Sequence, residues 1–207
     1  MDWLRSLLGW VATTAFLAVA AYCVARLVAA ARTPERYRGC HRVVDLAHVL
    51  MAVGMAAMVS PVGGPLPMAA WQTVFLVMTV WFVGAWWRAR DTEPWHGGWH
   101  GGELHHALAA AAMLYMLTAM PHAGHPSAPW LDGGFDGGFG TGMALPVVGW
   151  VLAAYFLASA AVLVRWRSPA GPEGLPTLLT ASSPMTACQT TMAAGTSAML
   201  VAMLVVA

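Results

Sequence analysis

Residues 11–42 read VATTAFLAVAAYCVARLVAAARTPERYRGCHR, an apolar run that reaches Ala31 and then breaks into Arg32, Arg36, Arg38 and Arg42. About 20 apolar residues suffice to cross a bilayer, and a basic cluster directly after such a run is the flank of a retained, stop-transfer segment. The AVA tripeptide at 18–20 resembles a signal-peptidase site. The run extends well past it, however, so the first segment is expected to stay in the protein as a helix.

The rest of the chain follows the same pattern. Of its 207 residues, 59% are hydrophobic and 9% charged, and the mean hydropathy is +0.63. Soluble domains carry roughly 25% charged residues, so the composition points to an integral membrane protein. Six apolar segments stand near residues 7–31, 43–60, 68–88, 104–120, 146–165 and 182–206. They predict an all-α, polytopic fold of six transmembrane helices forming a single domain over residues 1–207.

Nine of the ten arginines then fall on one side of the membrane: Arg26, Arg32, Arg36, Arg38 and Arg42 around the first connection, Arg88 and Arg90 around the third, Arg165 and Arg167 around the fifth. The positive-inside rule makes these connections cytoplasmic and places the N-terminus and C-terminus outside, in a multi-pass protein of the cytoplasmic (inner) membrane. Trp3, Trp10, Trp71, Trp86, Trp87, Trp130, Trp150 and Trp166 lie near segment ends, as interfacial anchors do. The lipid bilayer is the expected surrounding. A net charge of +1 says nothing about nucleic acid, and no basic stretch interleaved with aromatics suggests it, so no nucleic-acid partner is expected. No G-x-S-x-G, H-E-x-x-H, C-x-x-C or phosphate-cradling loop is present, so no catalytic residue is assigned and an enzyme is not expected.

The functional signal is a repeat. Segments two, four and six run in the same direction, and ten of the fourteen methionines sit on them. Aligned, they give His48, Met51, Met55, Met58; His106, Met113, Met116, Met120; and Gln189, Met192, Met199, Met203. At 100° per residue these offsets stay within an arc of about 80°. Each helix thus carries a stripe that is polar at its cytoplasmic end and sulfur-lined towards the exterior. Methionine is also an adaptable filler of apolar packing, but filler would spread over all six segments.

Thioethers are soft donors that suit copper(I), imidazole also binds copper, and a thiolate would strengthen such a site. The expected metal ligands are therefore His48, Met51, Met55, Met58, His105, His106, Met113, Met116, Met120, Cys188, Met192 and Met199. Loop residues His122 and His125 outside, and His96, His100 and Glu103 inside, are candidates to deliver or receive the ion. Asp45, one turn before His48, is costly near a membrane edge unless paired. Arg42 stands three residues away on the same face, and the carboxylate is placed to orient His48 or move a proton. Haem b is the competing cofactor, ligated by histidines on two helices such as His48 and His106, which would make the chain an electron-transfer subunit. A third reading makes it an accessory subunit of a membrane complex. A metallochaperone is the partner the copper reading implies. Small residues such as Gly54, Ala107, Ala111 and Gly195 would let helices two, four and six approach closely as an inner layer.

The pairs Met51 and Met55, Met116 and Met120, and Met199 and Met203 resemble the MxxxM pore motif of trimeric high-affinity copper uptake transporters. The whole layout, with DLAHVLMAVGMAAM in segment two and TTMAAGTSAML in the last, resembles an uncharacterised family of actinobacterial membrane proteins known only as a domain of unknown function. That family supplies no activity. Gln189 and Thr196 depart from the histidine and methionine of the other two stripes.

Overall fold

The computed structural model describes residues 2–32, 41–62, 65–89, 102–119, 145–165 and 182–206. These residues form six helices and, among them, no strand: α1 (Asp2–Arg32), α2 (His41–Val59), α3 (Met68–Ala89), α4 (Glu103–Ala119), α5 (Pro146–Arg165) and α6 (Ser182–Val206). All but α4 are long and apolar enough to cross a membrane. The 17 residues of α4 rise about 25 Å, short of a hydrocarbon core of about 30 Å. The described residues are thus all-helical in their regular structure, as the sequence predicts. Helix α1 begins earlier than expected because Trp3–Ser6 contains no glycine or proline to stop it.

Helix ends follow local chemistry. After α2 the Ser60 amide donates to Ala56 O at 2.9 Å, and Pro61 then has no N–H with which to continue the ladder. Pro67 O accepts from the amides of Ala70 (3.0 Å) and Trp71 (3.3 Å) to open α3. Pro146 occupies the first turn of α5, where a missing N–H removes no helical bond. Leu145 before it is held at a φ of 51°, and its carbonyl accepts from the Val148 amide at 2.9 Å and the Tyr115 hydroxyl at 3.2 Å.

The chain divides into two compact units, Met1–Gly64 with Phe156–Gly195, and Pro65–Tyr155 with Thr196–Ala207. In the first, α1 packs along α2. Helix α1 buries Thr13, Phe16, Val19, Ala20, Cys23, Arg26 and Ala30, a stripe at the three- and four-residue spacing of one helical face. The Arg42 guanidinium donates to Ala30 O at 2.7 Å near one end of the pair. Near the other end, a Cβ on Gly9 would lie 3.0 Å from Val59 O and 3.2 Å from Pro61 Cγ. The two helices therefore run antiparallel.

In the second unit α3 and α4 form another antiparallel pair. Gln72 Nε2 donates to Leu117 O at 3.2 Å, and ten residues further along α3 the Phe82 ring stacks on His106 at 5.2 Å. Trp71 stands at the start of α3 as expected of an anchor, yet it is buried and stacked on Phe75 at 6.1 Å. Ser197 Oγ donates to Ala153 O at 2.9 Å, tying α6 to α5. Lipid gives helices no hydrophobic reason to associate, so these contacts rest on packing and on interhelical hydrogen bonds averaging about 0.6 kcal/mol each.

Helix α2 is the most buried of the five long apolar helices, 50% of its span against 33% for α3, α5 and α6. Helix α2 thus has the interior character expected of it. Helix α6 is no more buried than α3 or α5: Met192 and Thr196 on its stripe are buried, and Met199 and Met203 are half-buried.

Candidate metal centre

In the first unit, α1 and α2 bring three chemically reactive side chains together. One ligand atom each from Cys23, Asp45 and His48 lie within 4.8 Å of one another, and the three residues are 0%, 1% and 3% exposed. The helical repeat explains the convergence. Asp45 and His48 stand three residues apart on one face of α2, and Cys23 occupies the stripe of α1 that packs against it. Helix α6 adds a fourth group: the Cys188 thiol lies within hydrogen-bonding reach of Cys23. Both cysteines are buried and neither is in a disulfide.

Arg26 sets the electrostatics of the cluster. Its Nε stands 3.3 Å from Asp45 Oδ2, and its guanidinium lies over the Tyr22 ring at 5.9 Å, one turn back along α1. The expected pairing of Asp45 with Arg42 is corrected. Arg42 is exposed and turned to the Ala30 carbonyl, while Arg26 reaches Asp45 from the facing helix. An isolated buried carboxylate is very costly, and a partner that is itself buried offsets that cost best.

The methionines of this unit flank the cluster. Met51 and Met55 follow His48 on α2, both buried, and Met58 beyond them is half-buried. Met55 Sδ approaches α6, lying 3.9 Å from where a Cβ on Gly195 would stand, and Met192 on α6 is buried.

The second unit holds the other part of the predicted set. His106 Nδ1 is 3.3 Å from Gly102 O. A carbonyl can only accept, so Nδ1 carries the proton and Nε2 the lone pair. His105 Nδ1 is 2.9 Å from the Tyr155 hydroxyl on α5, and its ring meets that of His106 edge-on at 5.8 Å. Met113 and Met116 continue along α4, both fully buried, and Met199 belongs to the α6 portion of this unit. His96, His100, Met120, His122 and His125 lie outside the described residues.

The structure therefore brings Asp45 and His48 together with Cys23, beside which Cys188 stands, and with Arg26; sequence reasoning gave Cys23 and Arg26 no part in the site. A signal existed for both. An arginine inside a long apolar run is expensive, and Cys23 precedes it by three residues on the same helical face. Tyr155, the partner of His105, carried no comparable signal.

Residues 40–203 match the domain of unknown function DUF5134, a span that includes Asp45, His48 and Cys188, with Cys23 and Arg26 preceding it. No curated protein and no solved structure matches the chain. The match takes in most of the sequence, and the chain belongs to this family.

Proposed function

We propose that this DUF5134 protein binds a soft metal ion, copper(I), in the membrane and translocates it along its His/Met helices. The observation that carries the reading is the buried cluster of Cys23, Asp45 and His48 with Cys188 beside it. Thiolate and imidazole are the donors that select a soft, monovalent ion over magnesium or calcium, and thioethers extend the same preference along α2. Asp45 is engaged by Arg26, so its role is to orient and balance the site, with Cys23, Cys188 and His48 as the donors. Met51, Met55, Met58 and Met192 in the first unit, and His105, His106, Met113, Met116 and Met199 in the second, supply further stations for an exchanging ion.

In this reading α4 is the sixth transmembrane helix. The arginine-rich connections are cytoplasmic, both chain ends face outward, and the protein resides in the cytoplasmic membrane. Its partner is a metallochaperone or a membrane complex to which it delivers the ion.

The test is titration of the purified, reduced protein with copper(I) against a competing chelator. About one tightly held ion per chain is expected, lost in Cys23→Ser and in His48→Ala. A reduced wild-type protein that never competes with the chelator removes the proposal, and a Soret band in the purified protein replaces copper with haem.

A further inference from the structure

Two contacts define how α1 and α6 meet within the first unit. A Cβ on Gly195 would stand 2.6 Å from Phe16 Cζ, so the Phe16 ring fills the space that only a glycine leaves. Seven residues further along α1 and seven back along α6, the Cys23 and Cys188 thiols lie within hydrogen-bonding reach. Seven residues is close to two helical turns, about 10 Å of rise. Both contacts therefore belong to one antiparallel seam in a single register. The two thiols are held opposite each other by a packing contact that does not involve them.

We infer that Cys23 and Cys188 form a dithiol–disulfide couple, a redox site linking the first and last helices of the chain. In the forward step both S–H bonds break and one S–S bond forms. Two electrons and two protons pass to a two-electron acceptor of the membrane, a benzoquinone, which becomes the hydroquinone. A disulfide needs the sulfurs about 2.05 Å apart, so the two thiols must close from hydrogen-bonding separation for the bond to form. The couple itself does not depend on the metal proposal. Its consequence for metal does rest on that proposal, because the disulfide removes both sulfur donors at once and leaves His48 and Asp45 without a thiolate. The reduced chain is then the form that holds copper(I), and the oxidised chain the form that releases it.

The experiment uses the full chain with Cys40→Ser, so that Cys23 and Cys188 are the remaining cysteines. Metal-free protein in lipid nanodiscs is exposed to a short-chain ubiquinone. Thiols are then alkylated, and the protein is digested without reductant for mass spectrometry. The expected result is loss of both alkylatable thiols and a crosslinked peptide pair containing Cys23 and Cys188, two hydrogens lighter than the separate peptides. Cys23→Ser and Cys188→Ser, near-isosteric changes, should each abolish the crosslink and leave one alkylatable thiol. Two thiols that stay alkylatable while quinone oxidises a free-thiol control overturn the inference, as does linkage only between separate chains. Copper(I) binding measured on reduced and oxidised samples separates the two proposals. A disulfide that forms in a protein binding no copper in either state leaves the couple standing and removes the metal reading.

Discussion

Asp45 is 1% exposed and meets Arg26, itself 6% exposed, across the α1–α2 contact. Breaking such a buried pair from one side leaves a charge without compensation and costs about 3–5 kcal/mol, whereas replacing both partners by apolar residues is often neutral. Asp45→Asn and Arg26→Met should therefore each lower the unfolding midpoint in detergent markedly, and Arg26→Met with Asp45→Leu should recover most of the loss. Single variants as stable as wild type would show that the pair does not hold the helices. The rescued double variant also isolates function. Groups that orient metal ligands are typically worth about 10–100-fold in affinity, so its copper(I) affinity should fall by that factor with the fold intact. The sequence showed that Asp45 needs a partner but led to the wrong one. Arg42 is near in sequence, while only the facing of α1 and α2 brings Arg26, nineteen residues away in the chain, to the carboxylate.

At the scale of helices, five of the six apolar segments were legible to within about two residues, and only the start of α1 was missed, because length, arginine flanks and proline punctuation are local properties. Which faces meet is not local. The periodic stripe of α2 was readable from His48, Met51 and Met55, and the structure buries it. On α6, Met192 is buried and Met199 and Met203 are half-buried. Packing at the α1–α6 seam has its own test. Gly195→Val forces a branched side chain against Phe16 and should destabilise by about 1–3 kcal/mol. Adding Phe16→Ala should recover part of that loss, giving a coupling of about 0.5–3 kcal/mol in a double-mutant cycle. Strict additivity would mean that the ring and the glycine do not share the space. Leu145 offers a contrasting case in the other unit. A leucine held at positive φ carries strain of about 1–2 kcal/mol that glycine lacks, so Leu145→Gly should leave thermal stability unchanged or raise it slightly. A clear loss would show that the Leu145 side chain contributes more than its backbone costs.

The whole molecule is a helical membrane protein whose chemistry is concentrated where charge and sulfur are least expected, inside its first unit. Composition pointed to membrane-spanning helices, and the methionine repeat is what led to the proposal of soft-metal chemistry on α2. The cluster itself needed Cys23, whose signal was its place on the Arg26 face of α1 but whose partners become visible only once α1 is packed against α2. The central claim is that Cys23, Cys188 and His48 bind one soft ion together. X-ray absorption at the copper edge of the reduced, copper(I)-loaded protein tests it most directly. The expected first shell is sulfur with an imidazole nitrogen, the imidazole signature lost in His48→Ala and the sulfur contribution reduced in Cys23→Ser. A first shell of oxygen and nitrogen alone, or a spectrum unchanged by both substitutions, would contradict it.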